Sequence, residues 1–315
     1  MEHGPVSIRI ARLAKRRGVR HAMAAAGAAG IATPLVVPLA RVPGYESALA
    51  ANLLVAIVGG AFGIAAARLE RDVARRREGE VPASPAGTTA ALRATAAAAA
   101  LAALAIIPFS LASLAAGVFG TACSVTAGLP WYAVLPLPSA VLAAALGVLC
   151  GAASDRRGVP GLLYAAVVVG SLLLSLRPVA LGPQSFVYDH LAGFLPGPLY
   201  DEVVKIRHPL LVFRGLTLVW AGAVVGATAL CWRGGRLGLP RWRPGALALL
   251  AGCVALAIVG GVRRSDDGWE QSAASLERIL GARTEGTRCT VVHPRELDRK
   301  ATARFVDECD ARVEE

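Results

Sequence analysis

Apolar runs close to twenty residues long recur along the chain, separated by short polar segments that hold most of its charge. The runs cover 22–40, 47–67, 91–116, 132–153, 160–176, 209–232 and 245–262. A hydrocarbon core of roughly 30 Å takes about 20 residues of helix, so each run is a candidate span. The pattern predicts an all-α integral membrane protein, a polytopic bundle of about seven transmembrane helices over 22–262. The first run contains Pro34 and Pro38 and the fifth is short, so counts of six or eight also fit. The first run reads as a retained span rather than a cleaved signal, because no small-x-small site ends it and further spans follow.

Charge then orients the bundle. Segment 1–21 carries Arg9, Arg12, Lys15, Arg16, Arg17 and Arg20, and alternate loops continue the bias with Arg68, Arg71 and Arg75–Arg77, then Arg156 and Arg157, then Arg233, Arg236, Arg241 and Arg243. The intervening loops hold only Arg41, Arg177, Lys205 and Arg207. Short cytoplasmic loops collect Lys and Arg, so 1–21 is expected in the cytoplasm, with the 177–208 loop and residues 263–315 outside a bacterial inner membrane. The net charge of +11 does not point to nucleic acid, because its basic residues are spread over several loops instead of forming one patch. With 55% hydrophobic residues the expected partner is the bilayer itself. Glycines at GxxxG spacing, Gly59/Gly63, Gly147/Gly151 and Gly222/Gly226, allow close helix packing within the bundle or between two copies.

From Arg263 the chain becomes polar, and a short soluble α/β tail is expected. Asp266 and Asp267 can cap a helix bearing Trp269, Ala273, Leu276 and Leu280, with Gly281 ending it. A strand candidate follows at 289–292. Leu297, Ala301, Phe305, Cys309 and Val313 then recur every four residues as a second amphipathic helix. One helix, one strand and half a helix bury little, so the tail reads as an incomplete domain. Cys289 and Cys309 either form a disulfide or leave Cys309 on the packed helix face. Cys150, Cys231 and Cys253 fall in spans as apolar filler, and Cys123 lies in a loop.

Side chains able to do chemistry crowd into 177–214. Tyr188, Asp189 and His190 are followed by Tyr200, Asp201 and Glu202, with Pro196, Gly197 and Pro198 turning the chain between them. Asp189, His190, Asp201, Glu202 and His208 are the ligand types a divalent cation takes, yet their spacing matches no metal motif. The structural reading has Pro198 opening a helix with Asp201 and Glu202 in its first turn and Lys205 pairing with them. Phe186, Tyr188, Phe194 and Tyr200 then anchor the membrane interface. Arg214 lies inside the sixth span, where it can snorkel outward, pair with a loop acid or line a substrate path. Asn52 in the second span reads as interhelical glue. No HExxH, CxxC, Walker or GxSxG motif occurs, so neither a catalytic residue nor a cofactor is assigned.

The segments Phe186–His190 (FVYDH), Phe194–Glu202 (FLPGPLYDE) and Val42–Glu46 (VPGYE) resemble a group of bacterial polytopic proteins. In that group a multi-span region precedes an extracytoplasmic gluzincin-like (peptidase MA-like) zinc peptidase domain. Gly286–Pro294 (GTRCTVVHP) resembles the entry to such a domain. The resemblance implies a membrane anchor or scaffold for an extracytoplasmic peptidase-like module, and without HExxH it transfers no catalytic residue to this chain. A small-molecule or ion permease and a metal-dependent enzyme at the membrane surface are the competing expectations. The permease requires a polar cavity around Arg214, Asn52 and the loop acids.

Overall fold

The computed structural model describes residues 6–76, 87–120, 126–197 and 204–314. Its helices are α1 (Val6–Ala14), α2 (Arg17–Val36), α3 (Tyr45–Arg76), α4 (Gly87–Leu104), α5 (Ile106–Phe119), α6 (Leu129–Val134), α7 (Pro136–Ala153), α8 (Val159–Leu181), α9 (His208–Cys231) and α10 (Pro244–Val262), with α11 (Ala273–Leu280) and α12 (Arg299–Glu314) in the tail. Three two-stranded antiparallel hairpins complete it: β1 (Val187–Asp189) with β2 (Gly193–Leu195), β3 (Trp232–Arg233) with β4 (Arg236–Leu237), and β5 (Gly281–Glu285) with β6 (Thr290–Pro294).

Among the described residues six helical segments are long and apolar enough to cross a membrane: α3, α4 with α5, α6 with α7, α8, α9 and α10. The protein is membrane-embedded. The first of the seven expected spans coincides with α2, which has 20 residues but opens on Arg17, Arg20 and His21 and is not among the six.

Prolines explain the two interrupted spans. Ala105 separates α4 from α5 three residues before Pro108, and Leu135 separates α6 from α7 beside Pro136 and Pro138. A proline inside a helix removes the N–H that would reach the carbonyl four residues back.

α3 and α7 form the centre of the bundle. A Cβ on Gly63 would lie 2.7 Å from Val148 N, and one on Gly147 would meet the Gly60 carbonyl, so these two backbones touch directly. Gly226 likewise faces Leu250 of α10. The small-residue pairs are therefore used for packing inside one chain. α8 and α10 are the least covered helices, and Leu174, Leu173, Val262 and Ile258 are more than half exposed, as side chains facing lipid would be.

Polar contacts gather at the two ends. At one, Arg9 meets Glu70 at 2.5 Å, Arg16 meets Asp72 at 2.5 Å, and Arg71 and Arg236 both meet Asp155. At the other, Tyr45 Oη donates to the Phe194 carbonyl at 2.6 Å and Ser113 Oγ donates to the Ala40 carbonyl at 2.5 Å. α2 joins these ends, since its N-cap residue is Arg16 and Ala40 lies just past its C-terminus.

Four arginines donate to backbone carbonyls at helix ends, breaks and turns. Arg41 Nε donates to the Pro34 carbonyl, which Pro38 cannot reach, at 3.3 Å. Arg71 donates to the carbonyls of Gly151 (2.6 Å) and Gly235 (3.1 Å), and Arg243 to those of Ala229 (2.6 Å) and Trp232 (3.1 Å). Arg214 is the fourth.

The tail departs from expectation in three ways. Its first helix begins at Ala273, capped by Ser272 through a reciprocal bond with Ser275, while Asp266 and Asp267 lie in the preceding turns. Gly281 does end it, in a left-handed conformation (φ +82°) that favours glycine. The β6 strand gains a partner, β5, that its sequence GARTE hides by lacking an apolar alternation. In α12 the residues packed inward are Thr302 and Val306, while Phe305 is 54% and Val313 58% exposed. Steps of four advance about 40° each around a helix, so Leu297 to Val313 cannot share one face.

Cys289 and Cys309 form a disulfide, with Cα atoms 6.0 Å apart. Beside it Asp310 accepts from Thr287 N (2.7 Å), Thr287 Oγ1 (2.6 Å), Arg288 N (2.9 Å) and Cys289 N (2.8 Å). These donors hold its carboxyl down at about 2. Closing a 20-residue separation restricts the unfolded chain by about 3 kcal/mol. Replacing both cysteines by serine is expected to destabilise the tail by up to that amount, read as faster amide exchange in α12 and β6 with the bundle unchanged.

Candidate functional site

The loop between α8 and α9 folds back on the bundle as the β1–β2 hairpin. Tyr188 pairs with Phe194 in register, and their rings stack with centroids 4.6 Å apart. Phe186, Tyr45 and Trp131 extend this cluster, so the aromatic residues pack on one another instead of acting as separate interface anchors. Gly193 sits at φ +95° with Asn52 Nδ2 3.2 Å from where a Cβ would project, two reasons for glycine at that turn.

Asp189 closes the hairpin and is 1% exposed. Oδ1 accepts from the N–H groups of Leu191 (2.8 Å) and Ala192 (2.6 Å), holding the turn. Oδ2 accepts from Ser171 Oγ (2.6 Å) and Ser175 Oγ (2.8 Å), both on α8. The two serines are four residues apart and so lie on one helix face. Their hydroxyls form a polar notch on an otherwise apolar helix, and their i, i+4 spacing is visible in the sequence.

Arg214 is 3% exposed and neither snorkels nor meets a carboxylate within ion-pair distance among the described residues. Its guanidinium donates to the carbonyls of Val134 (3.1 Å), His190 (3.3 Å) and Leu135, and to Ser139 Oγ (2.7 Å). Val134 is four residues before Pro138, so its carbonyl has lost its helical donor. One side chain thus mends the break between α6 and α7 and ties it to the hairpin. Ser139 Oγ contacts the carbonyls of His190 and Leu191 (3.1 Å each), and Asn52 Nδ2 donates to Leu191 O (2.8 Å). Asn52 therefore binds the hairpin, not a neighbouring helix.

His190 stacks on Phe213 with centroids 4.4 Å apart and 6° between planes. Its Nδ1 lies 3.0 Å from Thr217 Oγ1, whose hydroxyl donates to the Phe213 carbonyl at 3.1 Å. With the hydroxyl hydrogen given to that carbonyl, the matching tautomer has the proton on Nδ1 and a free lone pair on Nε2. Burial pushes this imidazole down to about 4, with the nearby Arg214 charge acting the same way against Asp189. Above pH 6.5 this shift costs nothing. As pH falls, the unfolded histidine takes up a proton that the folded one refuses, so stability declines from about pH 6.5 toward 4. Melting curves at pH 7 and pH 5 are expected to show that decline, and His190→Gln to reduce it.

A cavity of about 170 Å³ opens where α8, the hairpin, α9 and the chain leaving α10 meet. Ser175, Tyr188, His190, Phe213, Trp269 and Glu270 line it. Gln184 locks its floor, accepting from Gln271 N at 2.9 Å and donating to the Phe186 carbonyl at 2.6 Å. Burial pushes the Tyr188 phenol up to about 12.

Of the expected site residues the structure brings Tyr188, Asp189, His190 and Arg214 together. Tyr200, Asp201 and Glu202 lie outside the described residues, as does the helix expected from Pro198. His208 is exposed at the start of α9. Among the described residues no three His, Cys, Asp or Glu side chains converge to hold a metal. No family model matches the chain, and neither curated proteins nor solved structures give a match.

Proposed function

We propose that the chain is a membrane scaffold whose outer face, the β1–β2 hairpin and the disulfide-clamped tail, holds an extracytoplasmic peptidase-like module. The observation that carries this reading is the hairpin's anchorage. Asp189, Arg214, Asn52 and Ser139 spend their hydrogen bonds on the backbone of the hairpin and of the α6–α7 break, as a platform requires. A permease would keep Arg214 free to meet a solute, and a metal enzyme would leave the Asp189 carboxylate open.

Orientation and span count belong to the same proposal. α2 joins the two polar ends, which supports a seventh crossing beside the six apolar segments. The arginine-rich end fits the cytoplasm, and a disulfide in the tail fits an oxidising exterior of a bacterial inner membrane.

Photo-crosslinkers at the exposed tail positions Ile279 and Phe305 test the reading in intact cells. The expected product is a discrete adduct with a protein carrying an extracytoplasmic peptidase-like domain, not formed from the lipid-facing Leu174. Absence of that adduct, together with solute flux through liposomes containing the pure protein, would replace the scaffold by the permease.

A further inference from the structure

The cavity between the hairpin and the tail has a chemistry that the scaffold reading does not use. Its back wall is Phe213, with Tyr188 at 5.1 Å, His190 at 4.4 Å and Trp269 at 5.4 Å between ring centroids. Aromatic faces attract cations. Beside them Ser175, His190 and Glu270 offer acceptors, while the Tyr188 phenol can donate or accept and the Trp269 N–H only donates. Ser175 gives its hydrogen to Asp189 and so offers only oxygen lone pairs. His190 has Nδ1 engaged by Thr217, which leaves Nε2 as its free acceptor. Glu270 adds a carboxylate, shared at the rim with the half-exposed Arg264 at 3.2 Å.

With the imidazole neutral, Glu270 is the charged group of the lining, its negative sign partly offset by Arg264 at the rim. Three acceptors match the three N–H donors of a primary ammonium better than a quaternary one, which has none. A cavity of about 150 Å³ holds a benzene ring, so 170 Å³ has room for about six heavy atoms. That suits a two-carbon amine.

We propose that this cavity binds a primary alkylammonium group of the ethanolamine type, with Glu270, His190 Nε2 and Ser175 Oγ as acceptors and the Phe213 cluster as its wall. Two sources share that chemistry. The cavity also touches Leu174, which is 71% exposed on the lipid-facing side of α8, so an ethanolamine lipid has a route from the bilayer. A soluble amine would enter from the aqueous side, past Glu270.

The test uses the full chain in nanodiscs of choline and glycerol lipids. Native mass spectrometry after adding ethanolamine lipid reads the first source, and titration calorimetry with free ethanolamine reads the second. Retention of an ethanolamine lipid over a choline lipid, reduced roughly tenfold by Glu270→Gln, supports the site with lipid as its ligand. Ethanolamine binding with the same loss, but without lipid selection, supports it with a soluble amine. Glu270→Asp keeps the charge and should recover part of the binding, and Arg264→Gln, which removes the structural ion pair but keeps the carboxylate, should retain it. Equal binding by wild type and Glu270→Gln, a preference for choline over ethanolamine, or no binding of either amine overturns the proposal.

Discussion

Replacing Arg214 by leucine is expected to destabilise the folded protein by about 3 kcal/mol or more, the largest single effect in the bundle. The substitution leaves the Val134 carbonyl without its donor in a site closed to water and removes one of the donors to the carbonyls of Leu135 and His190. The orphaned carbonyl costs about 1–3 kcal/mol and each other lost bond about 1 kcal/mol, and relief from burying a charge offsets part of the sum. Arg214→Lys should fall between, because a single ammonium cannot span acceptors on both the helix break and the hairpin. A second substitution isolates the mechanism. Pro138→Ala restores an N–H four residues after Val134, so the Arg214→Leu penalty should be smaller in that background by about 1 kcal/mol. Denaturation in mixed micelles measures all four proteins. Additive effects would mean that Arg214 does not act through the proline break.

Asp189→Ala comes next, with an expected loss of about 2–4 kcal/mol, because two turn N–H groups lose their acceptor inside a buried hairpin. Asp189→Asn separates geometry from charge. Its amide oxygen can still accept from Leu191 and Ala192, and the hydroxyls of Ser171 and Ser175 can rotate to accept from its NH₂. It should cost about 1 kcal/mol. Amide exchange at Leu191 and Ala192 is the direct readout, rapid in the alanine variant and slow in the asparagine variant. A metal ligand would behave differently, since asparagine would then cost nearly as much as alanine.

Much of the bundle was legible because bilayer thickness imposes a length on apolar runs, and six of the seven runs fall on membrane-length helical segments whose ends extend up to nine residues beyond them. The first run was ambiguous for a physical reason: α2 mixes Arg17, Arg20 and His21 with small residues, holds Pro34, and gives way to a short 3-10 turn at Pro38–Ala40. The site was legible as a place and not as a mechanism. Asp189, His190 and Arg214 stood out by residue type, but their partners are Ser171, Ser175, Thr217 and backbone carbonyls, which residue type does not reveal. Strands of three residues carry too little alternation to be read, so the hairpin went unseen. Arg214's task depended on Pro138, on another helix and far away in sequence. That pairing becomes visible only when helix breaks and buried arginines are considered together.

The claim that the hairpin and the tail share one outer face, opposite the arginine-rich end, is tested most directly by thiol labelling in intact cells. Single cysteines at the exposed positions Ser185, Glu296 and Arg157 report the hairpin side, the tail and the opposite end. Ser185→Cys and Glu296→Cys should react with a membrane-impermeant maleimide before lysis, and Arg157→Cys only after it. Labelling of Arg157→Cys in intact cells, or of only one of the other two, would contradict the shared outer platform.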